Sequence, residues 1–408
     1  MKGVHILFNL YHFISSYVTK RQSSMFFQDI EANRDALTKN IEGKSVLVIG
    51  GAGSIGSSFI KAILPFKPAT LVVVDTNENA LAELTRDLRS TKGMYVPNDY
   101  IPYPMDFASP VFEKMLRSRG GFDIVGNFSA HKHVRSEKDI YSVEALLQNN
   151  VLHAKLLLDL LSEFPPEEYF CVSTDKAANP VNIMGASKRI MEDVIFSYSD
   201  KFPVKTARFA NVAFSNGSLP AGFLARIQKL QPLSAPSDVR RYFVSPEESG
   251  QICLLSCILG ENRAIFFPKL AEAQMMTFDA IGTELLKAHG YEVLECSSDD
   301  EAIAKAEELK KGSNRYPVHY AKSDTSGEKP YEEFVTDTEK SDMARFGSLG
   351  VITGKQIPDK SRVEKLFVDL NAAFDKDETT KEEVVKILKE YLPNFEHIET
   401  GKSLDSKM

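Results

Sequence analysis

Two short stretches hold residue types at spacings that suit chemistry. The first, SVLVIGGAGSIGSSFIKAIL (residues 45–64), sets Gly50, Gly53 and Gly56 between an apolar run and a helix-like run. Glycines in that context permit a tight turn and let the backbone touch a pyrophosphate at a helix N-terminus. Ser54 and Ile55 belong to the same cradle. The second stretch is Ser173-Thr174-Asp175-Lys176, followed by NPVNIMGASKR with Met184 and Lys188 four apart. A carboxyl beside an amine at the end of a central strand, next to a cofactor loop, suits proton transfer better than a surface ion pair.

Further acids refine the first stretch. Asp75 ends a second apolar run, TLVVVD, where its carboxylate can accept from the ribose hydroxyls of a dinucleotide. No Arg or Lys lies between Asp75 and Leu84 to receive a 2′-phosphate, which favours NAD over NADP. Asp106 ends a third run and is placed either to bond an adenine amine or to form a turn.

The elements that must position these groups alternate. SVLVIG, TLVVVD, YIPYPMD, DIVGNFS, YFCVST and KTARFAN read as strands. Residues 77–90, 142–161 and 185–198 read as helices between them. Buried strands alternating with helices predict an α/β fold with a doubly wound parallel sheet. Four units are expected: a helical N-terminal preamble over 1–43, a cofactor-binding domain with the reactive residues over 44–211, a smaller substrate-binding region over 212–270, and a mainly helical acidic extension over 271–408. One strand pair, YEVLEC with RYPVHYA, is expected in the last of these.

Composition narrows the function classes. The chain has 408 residues, 43% hydrophobic and 26% charged, the mix of a globular protein. A net charge of −7 argues against a general nucleic-acid binder. Residues 1–270 carry a net +3 and residues 271–408 a net −10, so the front suits an anionic ligand. Cys171, Cys253, Cys257 and Cys296 form no CxxC pair and no zinc spacing, and they read as packed thiols in a reducing cytoplasm. His131 and His133 lack a carboxylate partner in sequence, so no metal is expected. No apolar run reaches the ~18–20 residues of a membrane span. Residues 4–18, VHILFNLYHFISSYV, read as an amphipathic helix that docks on this chain or a second subunit, with weak attachment to a membrane surface as the lesser alternative.

The glycine spacing, GxxGxxG, resembles the short-chain dehydrogenase/reductase superfamily, whose Rossmann-type domain carries a YxxxK motif preceded by Ser or Thr; the 408-residue length and late substrate region point to its extended, nucleotide-sugar branch. Thr174 and Lys188 fit that motif, while Met184 stands at the tyrosine position. STDKAANPVNIMGASKR is similar to the active-site stretch of bacterial UDP-N-acetylglucosamine 4,6-dehydratases of the polysaccharide (capsule) biosynthesis group, some of which carry Met in place of Tyr. The similarity extends through FSAHKHV (128–134), QNNV (148–151), RFANVAFSNGS (208–218) and VRRYFVSPEE (239–248), so it covers roughly residues 43–270.

The resemblance implies C4 oxidation by NAD, loss of water across C5 and C6, and hydride return to C6. It implies Asp175 as the acid at C6 and Lys176 as the base at C5. A free Asp at ~3.9 and a free Lys at ~10.4 are the wrong way round for these roles, so both need shifting. It also implies that Thr174 bonds the C4 oxygen and that Lys188 bonds the nicotinamide ribose. Ser129 and Ala130 line the cofactor, and Lys132 faces the sugar. Asn150 buttresses the strands. Arg241 is the phosphate ligand, with Arg208, Asn211, Asn216, Gly217 and Ser218 along the same edge. The expected partner is UDP-N-acetylglucosamine or a related nucleotide sugar. A homodimer or larger homo-oligomer in the cytoplasm is expected. A nucleotide-sugar 4-epimerase has no use for an acid and base at C5 and C6. A non-catalytic NAD-binding scaffold has no reason to keep Thr174, Asp175, Lys176 and Lys188 together.

Overall fold

The computed structural model describes residues 8–133, 137–323, 329 and 331–399. Six strands build the centre: β1 (Ser45–Ile49), β2 (Thr70–Asp75), β3 (Asp99–Pro104), β4 (Ile124–Asn127), β5 (Glu168–Thr174) and β6 (Val204–Phe209). All their pairings are parallel, for instance Val46 against Leu71 and Val125 against Tyr169. The order β3-β2-β1-β4-β5-β6 reverses direction between β1 and β4, which opens a crevice at the strands' carboxyl ends. This is the doubly wound α/β fold.

Both faces of this sheet are covered, so its strands are apolar throughout rather than alternating with polar residues. Leu47 and Ile49 of β1 pack with Val72 and Val74 on one side. Val46 and Val48 pack with Leu71 and Val73 on the other. Successive side chains point to opposite faces, so one apolar run feeds two cores.

The later strands are β7 (Asn211–Val212), β8 (Leu233–Pro236), β9 (Arg240–Arg241), β10 (Phe243–Val244), β11 (Ile265–Pro268), β12 (Met276–Thr277), β13 (Glu292–Glu295), β14 (Arg315–Ala321), β15 (Ser341–Asp342) and β16 (Leu349–Ile352). They redraw the expected units. β11 joins β6 in parallel, then β16 and β15 add antiparallel, giving nine strands. The central sheet therefore takes strands from both regions expected to lie outside it, and the boundaries at 211 and 270 do not mark its edge. The region after 271 has more helix than strand, but among the described residues it also holds five strands; the expected pair, β13 and β14, runs in parallel and continues onto β8.

The N-terminal residues are no separate preamble. Phe13, Ile14 and Val18 pack with Phe223, Leu233 and Ile281 in a third core beneath the small sheet. Phe26, Ile30, Leu37 and Ile41 join the core that holds Val46 and Val48. Residues 4–7 of the expected docking helix lie outside the described residues. Among the described residues, no helix is long and apolar enough to cross a membrane.

Candidate active site

The glycine loop is built as its spacing requires. Gly50 adopts φ +71°, and a Cβ there would lie 2.6 Å from the Ser129 backbone nitrogen. A Cβ on Gly56 would lie 2.4 Å from the Gly50 carbonyl oxygen, so helix and strand touch backbone to backbone. The helix Ser54–Ile63 starts at this turn, and Ser54 and Ile55 open it. Its first N–H groups and positive dipole end face the crevice mouth, which suits a pyrophosphate. Asp75 is aimed back at the loop and accepts from the Ala52 N–H at 3.0 Å and the Asn77 N–H at 2.9 Å. A cradle that a Cβ would fill, a helix N-terminus and an acid at the second strand end together fit a dinucleotide. Asp106 is exposed and accepts from the Ala108 N–H at 2.8 Å within a turn, a role that its place at the strand end does not make exclusive.

Three loops converge on this cradle. Ser129 donates its hydroxyl to Asn149 at 3.2 Å, and Ala130 follows half-buried. Asn150 sits in a π-helical stretch, Gln148–Leu152, a local irregularity common at functional sites. Its side chain bonds both backbone groups of His131, each at 2.9 Å, and the Ser187 hydroxyl at 3.0 Å. It thus ties the loop after β4 to the helix Ile183–Phe196. The Asn216 N–H donates to the Ser54 hydroxyl at 2.8 Å, and Lys132 Nζ donates to the Asn216 carbonyl at 2.8 Å. Gly217, at φ +74°, lies against His133. Ser218 caps the helix Leu219–Lys229. Asn211 is half-buried on β7, its N–H held by the Tyr242 carbonyl.

The reactive stretch stands at the end of β5. Asp175 is only 3% exposed. Its Oδ1 accepts from the Thr174 hydroxyl at 2.9 Å and from Lys176 Nζ at 3.1 Å. Lys188, on the helix Ile183–Phe196, is buried with Nζ 3.1 Å from the Met191 sulfur. Burial pushes its ammonium below the usual lysine range, against the pull of Cys171 and Glu192.

Met184 is not a proton-handling group. Its side chain is buried in the core beside Ile183 and Ala186, and its N–H donates to Glu137 at 3.0 Å. A thioether has no acidic proton and is a poor acceptor, so the residue packs.

Arg208 is not a substrate ligand. It is fully buried and its fork is used up. Glu192 takes two of its bonds at 2.8–2.9 Å, Glu339 two more at 2.6–2.9 Å, and the Phe334 carbonyl another at 2.8 Å. Burial would raise the Glu192 carboxyl, yet Arg208, Arg189 and Ser173 hold it below the usual range. Glu339 is likewise desolvated but held down at about 2 by Arg208 and Lys355.

Arg241, by contrast, lies near the reactive stretch. It is 4% exposed, and its NH1 donates to the Arg240 and Lys329 carbonyls, each at 2.9 Å. Glu332, which no sequence signal marked, lies between the two: 3.8 Å from Lys176 Nζ and 4.0 Å from Arg241 NH2. Among the described residues, no group of three or more His, Cys, Asp or Glu side chains is placed to hold a metal.

Known proteins share this framework. The family described as polysaccharide biosynthesis protein matches residues 46–353. An uncharacterized membrane protein of Methanocaldococcus jannaschii is 28% identical over 355 residues, 85% of this chain and 96% of that one. The capsular polysaccharide biosynthesis protein CapD of Staphylococcus aureus is 28% identical over 243 residues. That alignment covers 58% of this chain but only 40% of CapD. The inverting UDP-N-acetylglucosamine 4,6-dehydratase of Campylobacter jejuni is 26% identical over 237 residues, 56% of this chain and 67% of that enzyme. Among solved structures, Pen from Bacillus thuringiensis superposes with a TM-score of 0.61 at 18% identity, covering 81% of this chain and 98% of Pen. At that identity the likeness speaks to the fold.

Proposed function

The chain belongs to the polysaccharide biosynthesis protein family, and from that premise we propose that it is an NAD-dependent nucleotide-sugar 4,6-dehydratase, a Met-for-Tyr form acting on UDP-N-acetylglucosamine. The observation that carries this reading is the Asp175–Lys176 pair, the acid buried and the lysine half-buried, at a central strand end beside a dinucleotide cradle. An epimerase needs only C4 oxidation and reduction and leaves this pair without work. The inverting dehydratase of Campylobacter jejuni supports the substrate class.

The residues divide the reaction among them. Gly50, Gly53, Ser54, Ile55, Gly56 and Asp75 would hold the dinucleotide, with Ser129 and Ala130 along it and Asp106 near its adenine. NAD held there would supply the hydride-accepting and hydride-donating chemistry that C4 and C6 require. Lys188 bonds the nicotinamide ribose and places a positive charge near C4. Thr174 donates to the C4 oxygen. Once C4 is a ketone, the C5 proton is acidic, and Lys176 removes it. Asp175 gives its proton to the C6 hydroxyl, which leaves as water. Lys176 then returns a proton to C5. Asp175 starts ionised with Lys176 neutral, takes the C4 hydroxyl proton as the hydride leaves, and it is this proton that it gives to the C6 hydroxyl, so proton and hydride accounts close. The 3.1 Å contact lets Lys176 and Asp175 exchange a proton between turnovers. Arg241 binds the pyrophosphate, since a guanidinium fork matches phosphate oxygens. Lys132, Asn211, Asn216, Gly217 and Ser218 line the sugar side.

The test is proton NMR of the protein with UDP-N-acetylglucosamine in heavy water, with NAD added if needed. The expected product is a 4-keto sugar with a C6 methyl and deuterium at C5. A galacto-configured product without a methyl overturns the dehydratase reading in favour of an epimerase.

A further inference from the structure

The helix Ile183–Phe196 has two of its first N–H groups held from different parts of the chain. Asn182 caps it and accepts from the Gly185 N–H at 2.7 Å. Glu137, from the loop between β4 and the helix Ile140–Leu147, accepts from the Met184 N–H at 3.0 Å. A carboxylate at this end also complements the helix dipole. Glu137 is 8% exposed, and a buried carboxylate needs a partner for each oxygen. Its Oε1 has Met184, and its Oε2 lies 3.4 Å from His397 Nε2. The His397 side chain is itself nearly buried. Two more bonds bring the C-terminal segment to the same place. Lys381 Nζ donates to the Glu137 carbonyl at 2.8 Å, and the Ile398 N–H donates to the Val181 carbonyl at 2.9 Å. Val384, Leu388, Tyr391 and Phe395 seat this segment in the core that holds Ile183 and Met184. All these C-terminal residues lie beyond the stretch 46–353 matched by the family.

We infer that the C-terminal segment is a clasp on the active site, and that His397 is a positioning residue acting through Glu137. This rests on the reading of Lys188 as the group that bonds the nicotinamide ribose. Residues 177–182 separate Asp175 and Lys176 from the helix that carries Lys188. Ile398 holds that stretch at Val181, and Glu137 holds the helix one turn before Lys188. The loop that carries Glu137 also carries Ser129, Ala130 and Lys132. The clasp therefore fixes three parts against one another: the cofactor loop, the acid and base at the strand end, and the Lys188 helix. Without the imidazole, Oε2 is left buried and unpaired, which is costly. The carboxylate then turns toward water and releases the Met184 N–H. Lys188 is buried, with Nζ against the Met191 sulfur, so it moves with its helix. A small shift suffices, because a misplacement of about 1 Å can cost about 10²-fold in rate.

The test is calorimetric titration with NAD, and steady-state turnover of UDP-N-acetylglucosamine, for the full chain and four single variants: His397→Ala, His397→Gln, Glu137→Met and Lys360→Met. A glutamine amide can donate where the imidazole Nε2 stands. Lys360 pairs with Asp200 at 2.8 Å in an exposed bridge and anchors the same C-terminal segment elsewhere. His397→Ala should bind NAD about tenfold more weakly. Its kcat should fall about tenfold or more, with KM for the nucleotide sugar within about twofold of native. Glu137→Met should lose at least as much, and adding His397→Ala to it should cost nothing further. His397→Gln should recover to within about threefold of the native chain, and Lys360→Met should match it. Native NAD affinity and kcat in His397→Ala overturn the inference, even if its thermal midpoint falls. Additive losses in the double variant, or an equal loss in Lys360→Met, overturn it too. A native chain that binds NAD but forms no C6 methyl overturns the dehydratase reading, and the NAD titrations alone then judge the clasp. A native chain that binds no NAD overturns both.

Discussion

Two buried ion clusters lie close together in this fold and are built in opposite ways. Arg208 with Glu192 and Glu339 is saturated: every contact is 2.6–2.9 Å and the arginine is fully buried. Asp175, Lys176, Glu332 and Arg241 are loose, with separations of 3.1, 3.8 and 4.0 Å. The first cluster clamps the helix Ile183–Phe196, β6 and the segment near Glu339, and its groups have no spare valence for a ligand. The second holds its described charges at longer separations, which suits groups that exchange partners and protons. Both clusters contain an arginine near the strand ends, so residue type alone does not distinguish a clamp from a binding site. The degree of saturation does.

The largest effect should fall on the loose cluster. Lys176→Met and Asp175→Asn should each lower kcat by about 10²–10⁴, the usual contribution of a positioned acid or base, with the unfolding midpoint little changed. The mirror experiment is Arg208→Met, which leaves Glu192 and Glu339 buried without their cation. It should cost on the order of 3–5 kcal/mol in denaturant unfolding. If Arg208→Met instead lost activity at full stability, the contrast between the clusters would break.

Next in size is Gly56→Ala. Its methyl would press on the Gly50 carbonyl, costing about 1–3 kcal/mol and weakening NAD binding, measured by fluorescence titration. Acid should then sharpen the contrast. Glu192 and Glu339 are held below their unfolded values, so their contribution is complete above the ordinary carboxyl range near ~4.3. It is lost as pH falls toward about 2, where Glu339 titrates. The thermal midpoint should fall through this window, and Glu339→Gln should flatten that limb. The smallest effect belongs to Met184→Leu. A volume-conserving swap in the core should cost under ~1.5 kcal/mol and leave kcat near the native value, checked by steady-state assay.

Much of this was legible in the sequence, and the failures have physical causes. β1 to β6 are buried on both faces, so each reads as an unbroken apolar run bounded by turns. β16 is only four residues, Leu349–Ile352, too short for periodicity to separate strand from helix. Its partner β11 is distant in sequence, so nothing local announces the pairing. Arg208 sits at a strand end, and a strand's side chains point to alternate faces. Whether it meets a ligand or a clamp depends on Glu339, 131 residues away. Glu192 carried a usable signal: it follows Lys188 by four on an apolar helix, and an acid on such a face calls for a buried cation. Glu332 carried none, because it lies in a polar, charge-rich stretch that reads as solvated.

The most direct test of the account separates C4 oxidation from water loss. Lys176→Met, loaded with NAD and mixed with UDP-N-acetylglucosamine, should still take the C4 hydride and build up reduced-nicotinamide absorbance. It should form no C6 methyl and exchange no deuterium into C5. Methyl formation by Lys176→Met at the native rate would contradict the assignment of the strand-end pair as the eliminating acid and base.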